Sequence, residues 1–222
     1  MTDRHDLAAT DSPEALEALL LKIGAVVDAG VDWIQIREKD LSGKDCASLT
    51  REALQRAKNS AKRKTVPARI LVNDRLDVAL SQRPGGVHLG ENSLPLAEAN
   101  RLVENRGGRK DFLIGVSCHS LEFARAAASG DADYLFFGPV FATPSKAAFG
   151  APQGLEQLAD VCRAVSIPVL AIGGITLENA YDCLAAGASG IAAIRLFQGT
   201  RDMSSLVQSL QKLTRRSARH PR

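Results

Sequence analysis

PVLAIGGITLENAYDCLAAGASGIAAI, residues 168–194, reads as a short apolar run, a pair of glycines, a stretch of helical length and a second apolar run. Both runs are continuous rather than alternating, so the strands they form should be covered on both faces, as in a parallel sheet wrapped by helices. Parallel neighbours need a long crossover, and the helix predicted over 177–186 supplies it. The same unit recurs upstream. WIQIR (33–37), ILVN (70–73), GVHLG (86–90), FLIGVS (112–117) and DYLFFG (133–138) are further strand candidates, seven in all. Helices are predicted over 13–29, 44–61, 94–105, 121–129 and 155–164, with a short one after Asn73 and a last one from about Ser204. Ser12 and then Pro13 mark the first start, since proline fits the opening turn of a helix. This alternation predicts a (β/α)8 TIM barrel in one domain over 1–222, with a basic tail from about residue 212. Only MTDRHDLAATD precedes the first helix, so the barrel's first strand is expected to be truncated.

A chain that is 45% hydrophobic and 24% charged buries an ordinary core, and disorder is excluded as its main state. The net charge of +3 lies partly in the last dozen residues, which leaves the body near neutral and argues against a nucleic-acid partner. Cys46, Cys118, Cys162 and Cys183 are widely spaced with no CxxC, which points to free thiols in a reducing cytoplasm rather than to zinc or redox chemistry. No apolar stretch is long enough to cross a membrane and no signal peptide opens the chain, so a cytoplasmic location is expected. A homo-oligomer is left open.

In such a barrel the site forms at the carboxyl ends of the strands. The polar residues there are Gln35, Arg37, Glu38 and Lys39; Asn73 and Asp74; Glu91, Asn92 and Ser93; Ser117 and His119; Thr143, Ser145 and Lys146. Strand alternation puts Gln35, Arg37 and Lys39 on one side, an amide and two cations suited to a diphosphate. The segment GPVFATPSKAAFGAPQG (138–154) suits a loop that wraps an anion with its backbone N–H groups. Gly173 and Gly174, before a helix beginning near Thr176, can offer bare amides to a phosphate. Asp74 at the end of a buried strand calls for a partner, either a magnesium ion shared with a diphosphate or Arg75. His119 either exchanges a proton with substrate, caps a helix or is merely packed, and Cys118 is assigned no chemistry.

Taken in order, QIREKD, VNDRLDVAL, GVHLGENSLP, GVSCHS, GPVFATPSK and AIGGI resemble the successive signatures of the thiamine phosphate synthase family, which includes the thiazole tautomerases, over about 3–197. The opening MTDR resembles the tail of that family's first strand. The resemblance implies a magnesium-dependent transferase of thiamine biosynthesis, which joins hydroxymethylpyrimidine diphosphate to a thiazole phosphate. It implies that Gln35, Arg37 and Lys39, with the adjoining Glu38, grip the pyrimidine diphosphate together with Asn73. Ser117 would meet the pyrimidine substrate, Asp74 would hold Mg2+, and Lys146 would contact the leaving phosphates. Thr143 and Ser145 would bind the thiazole phosphate with the backbone at Gly174 and Ile194. Two positions depart from the family pattern. Ser93 stands where a second magnesium carboxylate is usual, with Glu91 two residues earlier as its possible substitute, and Arg195 stands where serine is common. A tautomerase of the same family, with His119 as base and no need of magnesium, is the runner-up, followed by a non-catalytic barrel that binds thiazole phosphate.

Overall fold

The computed structural model describes residues 1–7, 13–60, 67–143 and 151–218. Its strands are β1 (Trp33–Ile36), β2 (Arg69–Asn73), β3 (Gly86–Leu89), β4 (Leu113–Cys118), β5 (Tyr134–Phe137), β6 (Val169–Ile172) and β7 (Gly190–Ala192). All fall on the apolar runs of the sequence, and each pairs in parallel with the next in chain order. The crossovers are helical: α1 (Pro13–Ala29), α2 (Gly43–Asn59), α3 (Leu76–Gln82), α4 (Leu96–Glu104), α5 (Leu121–Ser129), α6 (Gly154–Ala164), α7 (Ala180–Ala185), the short α8 (Arg195–Gln198) and α9 (Met203–Ala218).

Packing explains why these segments settle where they do. α1 buries Ala15, Leu19, Ile23 and Val27, each four residues after the last, and they form one stripe against β1 and α2. Each of the large ones contributes about 1.5–3 kcal/mol relative to exposure. α2 is capped by Ser42, whose hydroxyl accepts from the Asp45 amide at 3.1 Å, and buries Cys46, Leu49, Ala53 and Ala57. On the inner side of the sheet, Leu71, Tyr134 and Phe136 meet Trp33, Leu113, Leu170 and Ile172. Trp33 meets the Tyr134 ring edge-on with centroids 4.9 Å apart. Gly115 makes room for that ring: a Cβ on it would lie 1.9 Å from Tyr134 Cζ.

The sheet curls without closing, because β1 and β7 are not paired. Thr2 reaches into the gap, its amide donating to the Gln35 carbonyl at 2.9 Å, and the terminal amino group lies 3.5 Å from the Ala193 carbonyl on the β7 side. A cavity of about 350 Å³ fills the rest of the seam, lined among others by Trp33, Ile34, Ile191, Ala192, Leu19 and Leu210. What is observed is thus a curled seven-stranded parallel sheet with a stub at its seam, short of the closed eight-stranded barrel.

Some boundaries differ from the sequence reading. α7 begins at Ala180 rather than near Leu177. The Thr176 amide is taken by the Asn179 side chain at 2.8 Å, the Asn179 amide lies 3.4 Å from the Thr176 hydroxyl, and the Ala180 amide donates to the Thr176 carbonyl at 3.0 Å, a reciprocal capping turn that leads into the helix. Ser12 lies outside the described residues. The basic tail is helical through Ala218, the last of the described residues, with Arg216 over the Tyr181 ring at 4.6 Å and Ser217 bonded to the Leu184 carbonyl at 3.2 Å. No helix among the described residues is long and apolar enough to cross a membrane.

Candidate active site

The strand ends bring one set of predicted residues into contact. Gln35 on β1 donates from Nε2 to Asn73 Oδ1 on β2 at 2.8 Å. Gln35 is only 3% exposed, and its Oε1 has no partner among the described residues. An unmet buried acceptor costs about 1–3 kcal/mol, which a donor group on a ligand would relieve. Arg37 is half-buried, with its backbone amide held by the Thr2 hydroxyl at 2.8 Å, and Lys39 is exposed. Neither cation has an ion pair among the described residues, so both charges are available to an anion.

Glu38 faces the other way. One of its carboxylate oxygens accepts from the Arg4 amide and guanidinium, each at 3.1 Å, while Arg4 also grips Asp40. That guanidinium holds the Asp40 carboxyl well below the usual carboxylate range. Glu38 therefore ties the amino-terminal turn to the end of β1, and its remaining oxygen is buried without a partner among the described residues.

The metal candidates are less assembled. Asp74 is exposed, not buried, so the desolvation argument made for it from sequence does not hold. Arg75 makes a two-pronged pair with Asp77 at 2.9 and 2.6 Å, which removes it as the partner of Asp74. Asp74 has a left-handed backbone, φ 66°, and its amide is fixed to the His88 carbonyl at 2.8 Å. Such a conformation in a non-glycine residue is uncommon and concentrates at functional turns. Glu91 is exposed, whereas the Ser93 hydroxyl accepts from the Gly90 amide at 2.6 Å and closes its own turn. No group of three or more His, Cys, Asp or Glu gathers around a common point among the described residues.

Ser117 on β4 lies 2.8 Å from Nε2 of His88, and Nδ1 of the same ring lies 3.0 Å from the Tyr134 hydroxyl. Neither His88 nor Tyr134 is singled out by the sequence. The available signal was a histidine in the middle of a buried strand, whose two ring nitrogens both need partners. Burial, aided by the nearby Arg37 charge, lowers the His88 pKa to about 3. His119 donates from Nδ1 to the Gly138 carbonyl, which leaves Nε2 as the ring nitrogen without a partner among the described residues. It is not the cap of α5; that role belongs to Ser120, which accepts from the Phe123 amide at 3.1 Å. Cys118 is fully buried and its thiol is pushed up to about 12 by burial.

The far side of the site is made of backbone. The segment after β5 is stitched to the end of β6 by the Val140 amide on the Ile172 carbonyl at 2.9 Å and the Phe141 amide on the Gly173 carbonyl at 3.1 Å. Gly174 sits at φ 65°, where a Cβ would come within 2.6 Å of the Ala142 carbonyl, so glycine is needed for this approach. The amides of Gly174 and Ile194 make no backbone hydrogen bond among the described residues. Thr143 is half-buried beside this turn, and Arg195, exposed, opens α8. The turn that leads into α7 is capped at Thr176, two residues after the double glycine, while α7 itself begins at Ala180. Ser145 and Lys146 lie outside the described residues.

Comparison with known proteins bears on this geometry. Residues 5–197 match the family described as thiamine monophosphate synthase. The thiamine-phosphate synthase of Methanoculleus marisnigri is 43% identical over 82% of this chain and 81% of its own. That of Methanocella arvoryzae is 41% identical over 84% of this chain and 83% of its own. Among solved structures, thiamine phosphate pyrophosphorylase from Pyrococcus furiosus superimposes with a TM-score of 0.78 at 30% identity, covering 92% of this chain and 93% of that one.

Proposed function

The chain belongs to the thiamine monophosphate synthase family, and from that premise we propose that it is a transferase coupling hydroxymethylpyrimidine diphosphate to thiazole phosphate, with release of diphosphate. The observation that carries the reading to this chain's own residues is the buried Gln35 amide, whose oxygen has no partner among the described residues beside Asn73, while two cations with no ion pair among those residues follow on the same strand end. A polar ligand carrying both a hydrogen-bond donor and negative charge suits that arrangement.

In the reaction the bond from the pyrimidine methylene carbon to the diphosphate oxygen breaks, with its electron pair leaving on the diphosphate. The resulting cation, stabilised by the pyrimidine, is captured by the lone pair of the thiazole nitrogen. Gln35 and Asn73 orient the pyrimidine substrate, Arg37 and Lys39 offset the charge that builds on the departing phosphates, and Ser117 contacts the same substrate. Thr143 with the Gly174 and Ile194 amides holds the thiazole phosphate, so that the nucleophile is aligned before the cation forms. Ser145 and Lys146 complete these two anion sites by resemblance alone.

Asp74 fits a magnesium ion bound chiefly through substrate oxygens, since its carboxylate is exposed and has no ion pair among the described residues. Ser93 fits poorly as a ligand, because its oxygen already accepts the Gly90 amide, and Glu91 is the second candidate. When bound, the ion would neutralise part of the diphosphate charge.

One observation favours the tautomerase as the second reading: the Gly138 carbonyl engages Nδ1 of His119, so that Nε2 is the ring nitrogen left to act as a base. Purified protein assayed with both substrates, with and without magnesium and with each thiazole tautomer, separates the two. Magnesium-dependent thiamine phosphate is the expected result; interconversion of the tautomers without coupling would replace the synthase by the isomerase.

A further inference from the structure

Ser117 contacts substrate in the proposed reaction, and the side chains behind it decide where its hydroxyl hydrogen points. His88 is 1% exposed, with Nε2 against Ser117 Oγ and Nδ1 against the Tyr134 hydroxyl. A neutral imidazole carries one donor and one acceptor nitrogen, so only two arrangements are possible. A charged ring would donate from both nitrogens, leave the Tyr134 hydrogen without an acceptor and bury a charge with no counterion among the described residues, so the ring is neutral. Tyr134 is fully buried, burial pushes its pKa up so that it keeps its proton, and His88 is its one hydrogen-bond partner among the described residues.

If Ser117 donated to Nε2, Nδ1–H would point at the phenol oxygen and the phenol hydrogen would be buried without an acceptor. That is the costly case. The other arrangement uses every buried proton: Tyr134 donates to Nδ1, and Nε2–H donates to Ser117 Oγ. The hydroxyl hydrogen of Ser117 is then left for a ligand. Packing holds the relay in place, with the Phe136 ring 4.2 Å from that of His88 and the Trp33 edge against Tyr134.

We propose that Tyr134 and His88 are positioning residues that set Ser117 as a hydrogen-bond donor, so that the substrate atom facing it is an acceptor: a ring nitrogen or a phosphate oxygen, not an N–H. The identity of the ligand rests on the synthase reading; the direction of the hydrogen bonds does not. Two measurements on the full chain test it. Protein labelled with 15N-histidine, with His88 assigned by the loss of its signals in His88→Gln, is read by two-bond 1H–15N correlation. The expected pattern is a pyridine-like Nδ1 and a pyrrole-like Nε2 that do not change between about pH 5 and 8, where free imidazole titrates. The reverse assignment overturns the relay, even if the protein makes thiamine phosphate.

The second measurement is a double-variant cycle. Ser117→Ala and His88→Leu should each lower kcat/KM for the pyrimidine diphosphate about tenfold, and the double variant should be no worse than Ser117→Ala alone, since one hydrogen bond to substrate is lost in every case. Falls that multiply would show that His88 acts apart from Ser117 and would overturn the proposal. Absence of any coupling activity would remove the synthase reading while the nitrogen assignment still decides the relay.

Discussion

The two sides of the candidate site are built from different materials. Around β1 to β4 the groups are side chains bonded to one another within the sheet: Gln35 to Asn73, His88 to Ser117 and Tyr134. Around β6 and β7 they are backbone amides at Gly174 and Ile194, which have no backbone partner among the described residues. The first side is fixed by strand register, since a shift of one residue would turn Gln35 and Asn73 to the helix face. The second is fixed by the absence of a side chain. A side-chain site can tell one uncharged ring from another, whereas bare amides recognise any phosphate of the right size. Under the proposed function, that difference assigns the pyrimidine to the first side and the thiazole phosphate to the second.

Substitutions sharpen or break this division. The largest effect is expected from Arg37→Ala, which removes a charged contact to the pyrimidine diphosphate. Steady-state kinetics should give about a hundredfold lower kcat/KM for that substrate, with the KM for thiazole phosphate little changed. A matching rise in both KM values would mean that the two sides are not separate. Next comes Gly174→Ala, whose Cβ would crowd the Ala142 carbonyl at a left-handed backbone position. Thermal or chemical unfolding should register about 1–3 kcal/mol of lost stability, and the KM that rises should be that for thiazole phosphate.

The last effect concerns acid. The His88 pKa is lowered in the fold from its ordinary 6.5 to about 3. Above the upper value neither state holds the extra proton and the stability is complete. As pH falls between these values the unfolded chain takes a proton that the folded chain refuses, and stability drops by up to about 1.4 kcal/mol per pH unit. His88→Gln should show a shallower decline in urea unfolding over that window. Equal slopes would mean that the ring is not held neutral, and the side-chain half would lose its preformed character.

Much of this was legible in the sequence, and for a physical reason. Continuous Val, Ile and Leu runs such as PVLAIGG can be buried only in a covered parallel sheet, and each located its strand. Strand alternation likewise put Gln35 and Arg37 together. What the sequence hid was contact between distant positions and competition among near ones. His88 and Tyr134 are 46 residues apart, and nothing local in GVHLG names a phenol as its partner. Asp74 looked buried because it follows ILVN, but its left-handed turn leaves it exposed. Ser93 looked like a metal ligand by position, yet a serine three residues after Gly90 finds that amide first. Glu38 alternates away from Gln35, and its partner Arg4 lies 34 residues earlier in the chain.

Gly115 and Tyr134 face each other across β4 and β5, and the empty space over the glycine is filled by the phenol ring. Over evolutionary time the two positions are therefore not free to drift independently. A side chain gained first at 115 would collide with the ring, and a ring lost first at 134 would open a void costing about 3–5 kcal/mol, a large share of the stability of an ordinary domain. Any exchange of these residues must cross a valley of poorly folded intermediates or occur in both at once. This pair should hold the geometry of the inner sheet steady while the outer helices change around it.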